Sequence, residues 1–63
     1  MLKNSVHTKR KALSLTQEDL AEAVGVTRQT IISIEKGNYV PSVLLALKIS
    51  GVFKVPLEEV FYL

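Results

Sequence analysis

An all-α fold of five short helices around one core is what the sequence predicts, and three observations predict it. Apolar side chains recur at three- and four-residue spacing, the period of a helix face rather than the alternation of a strand. Thr16, Thr27 and Ser42 each stand just before such a stretch, where a hydroxyl accepts the free N–H groups of a first helical turn. Gly25 and Gly37 follow two of the stretches, where a left-handed residue ends a helix. No strand is expected, because the most β-prone run, Thr30 to Ile34, lies between a good cap and a good stop and keeps helical spacing.

Leu2, Val6 and Leu13, with Arg10 between them, form a loose apolar stripe that predicts a first helix over Leu2 to Leu13. Thr16 caps the second, Gln17 to Val24, with Asp19 as the acidic partner of a capping box and Leu20, Ala21 and Val24 as its inner face. Gly25 ends it, and Thr27 caps a third helix that buries Ile31 and Ile34 and stops near Lys36, at Gly37 and Asn38. Tyr39 and Val40 extend to Pro41, and Ser42 caps a fourth helix, Val43 to Phe53. That helix carries Gly51 at a cost of up to about 1 kcal/mol relative to alanine. Val55 and Pro56 break the pattern, and Leu57 to Tyr62 predicts a short fifth helix. With no repeat, linker or low-complexity segment, the expectation is one domain spanning 1–63.

Composition narrows the function. A chain of 63 residues buries only about 60% of the surface it exposes when unfolded. With no cysteine it has no disulfide and no thiolate zinc site. His7 alone cannot hold a metal and is expected at the surface, so neither a metal nor a cofactor is predicted. Glu18, Asp19 and Glu22 share a helical turn, but no nucleophile, histidine or glycine-rich loop joins them, and an enzyme is not expected. Residues 1–11 lack an apolar run of signal-peptide length, and nothing approaches the roughly 20 apolar residues of a membrane span. A cytoplasmic protein with no membrane partner and no small-molecule ligand is therefore expected. The net charge of +2 permits a nucleic-acid partner, and six of the eight Lys and Arg lie in residues 1–36, ahead of a strongly apolar C-terminal half.

The most informative feature is a pair of helices joined by Gly25, Val26 and Thr27, which leaves room only for a sharp corner. Val26 plugs the angle, and Ala21 is small where the helices cross. With Ile31 and Ile34 inward, Arg28, Gln29, Ile32, Ser33 and Lys36 face outward. Such a helix suits the major groove of double-stranded DNA: Arg28 can bond guanine O6 and N7 together, and Gln29 can do the same for adenine N6 and N7. Ile32 either touches a thymine methyl or covers the helix. Thr16 and Gln17, at a helix N-terminus, can clamp a phosphate. Thr27, Lys36 and Asn38 are further backbone candidates. In the run Lys9, Arg10 and Lys11, either lysine can reach a phosphate, and Lys9 is taken as the contact.

The segments Leu15-Thr16-Gln17-Glu18-Asp19-Leu20-Ala21, Gly25-Val26-Thr27-Arg28-Gln29-Thr30-Ile31 and Ile34-Glu35-Lys36-Gly37 resemble the helix-turn-helix of phage Cro and repressor proteins, the XRE family. The resemblance covers nearly the whole chain. It implies a lambda-repressor-like five-helix domain, cytoplasmic control of transcription, and usually a homodimer on a two-fold operator. Carried onto matching positions, it places the phosphate clamp at Gln17, the base readers at Arg28, Gln29 and Ser33, and a buried ion pair at Arg10 and Glu35. The chain departs from the family pattern at Lys9, where leucine is common, at Lys54, where glycine commonly ends helix four, and at Pro56, where a Ser or Thr cap is usual. A dimer interface is expected from Leu44, Val55, Leu57, Val60, Phe61, Tyr62 and Leu63, which exceed what one short helix can bury. The alternative is an antitoxin or adaptor that grips a partner protein through the same apolar half.

Overall fold

The computed structural model describes residues 1–63, and its order is β1 (Lys3–Asn4), α1 (Val6–Ala12), α2 (Gln17–Val24), α3 (Arg28–Glu35), α4 (Val43–Phe53), α5 (Leu57–Val60) and β2 (Phe61–Tyr62). The five helices lie in the predicted order, and the middle three keep their predicted starts. Thr16, Thr27 and Ser42 each accept a backbone N–H from the residue three positions on, which is why α2, α3 and α4 begin where they do.

The two ends of the chain differ from the sequence reading. Lys3 pairs with Tyr62 and Asn4 with Phe61 in a two-stranded antiparallel sheet, so strands are present where none was expected. The first helix consequently starts at Val6 rather than Leu2, and the fifth stops at Val60 rather than Tyr62. The cause is hydrogen bonding between opposite ends of the chain, which local periodicity does not register. Beyond the sheet, Ser5 N–H donates to the Val60 carbonyl at 2.9 Å and the Ser5 hydroxyl to the Glu59 carbonyl at 2.6 Å. Asn4 closes the corner: its side-chain oxygen accepts Val6 N–H at 3.2 Å, and its Nδ2 donates to the Ile34 carbonyl at 2.9 Å. Leu13, counted in the first stripe, is exposed, because α1 ends at Ala12 and the chain turns through a left-handed Ser14.

Every helix contributes to one core. Val6 of α1, Leu20, Ala21 and Val24 of α2, Ile31 and Ile34 of α3, Leu45, Ile49 and Phe53 of α4, and Val60 of α5 are buried against one another. Val26, Val52, Val55 and Phe61 pack around them. Ser50, buried in α4, donates its hydroxyl to the Ala46 carbonyl at 2.9 Å, so its polarity is satisfied. Lys54 ends α4 in the left-handed region at φ 58°, where glycine is the unstrained residue. Pro56 occupies the N-cap of α5 without a side-chain bond, and that helix is a single turn. No helix is long and apolar enough to cross a membrane.

Candidate nucleic-acid interface

The corner between α2 and α3 is built from local chemistry. Gly25 takes φ 77°, and the N–H groups of Gly25 and Val26 both donate to the Ala21 carbonyl in the last turn of α2. Thr27 then turns extended, and its hydroxyl accepts Thr30 N–H at 3.3 Å. Buried Ile31 and Ile34 anchor α3 against α2, and this fixes which residues stay outside. Arg28, Gln29 and Lys36 are exposed; Ser33 and Ile32 are half-buried. Gln29 Nε2 approaches the Ser33 hydroxyl at 3.5 Å, so two of the residues matched to base readers are neighbours on one helical turn.

Beside this surface lies a cleft of about 590 Å³ where the end of α1 and the starts of α2 and α3 meet. Arg10, Lys11, Thr16, Gln17, Glu18 and Arg28 supply its polar wall, with three cationic side chains against one carboxylate. The capping box bonds Thr16 N–H to Asp19 and Asp19 N–H to Thr16, each at 2.9 Å. Gln17 and Glu18 N–H are left as the unshared donors of this helix start. The Thr16 backbone N–H, and after it the Thr16 side chain, hold the Asp19 carboxyl below its ordinary value. A cation-lined recess at a helix N-terminus is suited to an oxyanion such as a backbone phosphate.

Lys9 is elsewhere. It is half-buried in a different cleft, with Ala12, Leu13, Phe53 and Val55, while Lys11 is the lysine that lines the recess with Arg28. Successive residues of a helix diverge by about 100°, so the run Lys9 to Lys11 spreads over different faces, and of the two lysines only Lys11 shares the recess with Arg28. Thr27, Lys36 and Asn38 are exposed around α3.

Behind the recess, Arg10 Nε donates to Glu35 Oε2 at 2.8 Å and Nη2 to Oε1 at 3.3 Å, a two-pronged pair in which each side chain is 7% exposed. Arg10 Nη1 also donates to the Leu15 carbonyl at 2.7 Å. Burial pushes the Glu35 carboxyl up, but hydrogen bonds from Arg10 and Gln17, the Arg10 charge and His7 outweigh it and hold the carboxyl below its ordinary value. Two members of this cluster were not foreseen. His7 is exposed as expected, yet its Nδ1 lies 3.1 Å from Arg10 Nη2 and 3.4 Å from Glu35 Oε1. Its spacing of three from Arg10 was the available signal. Gln17 Nε2 donates to Glu35 Oε1 at 3.1 Å, across a sequence gap that carries no signal.

The C-terminal apolar residues separate into two sets. Val60 is fully buried in the core and has no surface to offer a partner, which corrects its expected place in a dimer interface. Val55 and Phe61 are half-buried against that core, and Leu57 is half-buried as well. Leu44, Tyr62 and Leu63 are exposed, and Val43 and Leu47, which the sequence reading passed over, are exposed beside Leu44 on α4.

Comparison with known proteins agrees with this geometry. Residues 6–60 match the family described as Helix-turn-helix. The chain is 55% identical over 62 residues to the uncharacterized HTH-type transcriptional regulator YgzD of Bacillus subtilis, covering 98% of this chain and 94% of that one. It is 53% identical over 60 residues to the uncharacterized HTH-type transcriptional regulator MJ0272 of Methanocaldococcus jannaschii, covering 95% and 91%. An uncharacterized HTH-type transcriptional regulator of Methanothermobacter thermautotrophicus is 49% identical over 63 residues, with 98% and 91% covered. With a sharp glycine corner, an outward α3 and these relatives along nearly its whole length, the chain belongs to the XRE-type helix-turn-helix family and is a DNA-binding transcription regulator, not an enzyme.

Proposed function

We propose that the protein is a repressor that binds a palindromic operator as a homodimer, with α3 in the major groove. The observation that carries this reading is the exposed start of α3, where Arg28 and Gln29 stand beside the cation-lined recess at the start of α2. Arg28, Gln29 and Ser33 read bases, while Thr16, Gln17, Thr27, Lys36, Asn38 and Lys11 hold the backbone. Repression needs only occupancy of the site. Dimerisation is supported by the exposed leucines and valine of α4, Val43, Leu44 and Leu47, together with Tyr62 and Leu63. Two-fold symmetry then sets half-sites about 34 Å, or about 10 base pairs, apart.

Selection of binding sites from a random duplex library tests the reading, and a palindrome with that spacing is the expected product. On the selected site, Arg28→Ala costs about 1–3 kcal/mol and relaxes preference at one position, with little effect on scrambled DNA. Equal weakening on both duplexes would remove Arg28 from the base readers. Sedimentation at tens of micromolar protein is expected to give a dimer mass, and a monomer would overturn the homodimer; a stable complex with another protein and no DNA footprint favours an adaptor instead.

A further inference from the structure

We propose that Glu35 is a positioning residue for DNA binding: its Oε1, 3.1 Å from Gln17 Nε2, orients the Gln17 carboxamide for a backbone phosphate before DNA arrives. The inference rests on the reading of Gln17 as a backbone contact. A glutamine side chain presents either an acceptor oxygen or a donor nitrogen, and only the nitrogen suits a phosphate. An ionised carboxylate is acceptor-only, so it fixes the nitrogen toward itself and leaves the second N–H for a ligand in the recess that Gln17 lines. Glu35 is in turn held rigid by both prongs of Arg10, with each side chain of that pair 7% exposed. The same pairing offsets the carboxylate charge that would otherwise repel a phosphate. The last residue of α3 thereby fixes the first residue of α2, and the rotamer freedom of Gln17 is lost on folding rather than on binding.

A backbone contact is independent of sequence, so a scrambled duplex is a sufficient probe and the operator need not be known. Gln17→Ala is expected to weaken binding about fivefold without changing its salt slope, because no cation is lost. The same substitution is then made in a chain carrying Arg10→Met with Glu35→Leu, an apolar exchange of the buried pair that folds tend to tolerate. In that background Gln17→Ala is expected to cost less than about twofold, since the carboxamide is no longer oriented. Equal losses in both backgrounds would overturn the positioning role. A second measurement needs no variant: in the free protein, nitrogen relaxation of the Gln17 side-chain amide should show backbone-like order beside a mobile Gln29. Equal mobility of the two amides would also overturn it. A wild-type chain that binds no duplex brings down the proposed function itself, whereas one that binds DNA without any loss on Gln17→Ala removes only the Gln17 contact and the role given to Glu35.

Discussion

The corner between α2 and α3 and the clasp between the two chain ends hold the same core by different means. At the corner, each helix boundary is set within a few residues: Thr16 and Asp19 cap each other, Gly25 turns left-handed, and Thr27 caps α3. At the clasp, Lys3–Asn4 and Phe61–Tyr62 satisfy each other's backbone from opposite ends of the chain. The difference teaches where specificity lies in a small domain. The surface proposed for DNA is shaped by short-range bonds that form with the helices, while its support depends on contacts that exist only once the chain has closed.

Glu35 is the point where the two regimes meet, since it ties α3 to Arg10 of α1 and to Gln17 of α2. Glu35→Ala should therefore have the largest effect, about 3 kcal/mol, because it strands a buried guanidinium. A pair at the surface would cost under about 1 kcal/mol. Urea melts decide between them, and a midpoint equal to wild type would show the pair to be solvated in practice. Acid titrates the same interaction. The folded-state pKa of Glu35 lies below its ordinary value of 4.5, so its contribution is complete above that pH and is lost as pH falls through the lower folded value. Asp19, lowered by its bonds to Thr16, adds to the same acid limb below its ordinary value of 3.8. Melts taken downward from pH 5 should show stability falling in wild type and a shallower fall in Glu35→Ala.

The clasp is tested through Asn4, whose side chain bonds both Val6 N–H and the Ile34 carbonyl. Asn4→Ala removes a local cap and a half-buried bond to the end of α3, and should cost about 2 kcal/mol. Thr16→Ala, at the corner, loses one exposed cap and should cost about 1 kcal/mol. If Asn4→Ala proves the milder of the two, the clasp is an ornament on a domain that the helices already hold.

What could be read from the sequence follows the same division. The starts of α2, α3 and α4 were legible because each depends on a hydroxyl and an N–H three residues away. The exposure of Arg28 and Gln29 was legible because Ile31 and Ile34 leave only one inward face. The strands were not, since β1 has no apolar alternation and its partner lies at the other end of the chain. For the same reason Val60 was assigned to a dimer surface: the greasy tail was counted without the strand pairing that folds it onto the core. Lys9 and Lys11 were indistinguishable in a charge run, and only the placement of α1 against its neighbours separates them. The Gln17–Glu35 bond depends on the corner angle itself.

The smallest effects come from two glycines, one in each half of the molecule, and they should have opposite signs. Gly25 sits at φ 77° with nothing within 4 Å of an added Cβ, so space is not what demands glycine there; the left-handed backbone is. Alanine at that position should destabilise by about 1 kcal/mol, and the strain falls on the corner that aims α3. Gly51 also has open space around an added Cβ, but its backbone is helical and lies inside α4. There Gly51→Ala should stabilise by about 0.5–1 kcal/mol, through the restricted unfolded chain and the better helix propensity. Thermal melts of the two variants beside wild type give both signs in one experiment. A stabilised Gly25→Ala would mean that the corner relaxes freely out of the left-handed region, and the aim of Arg28 and Gln29 would then have to be set from the core side, by Ile31 and Ile34, rather than by the turn.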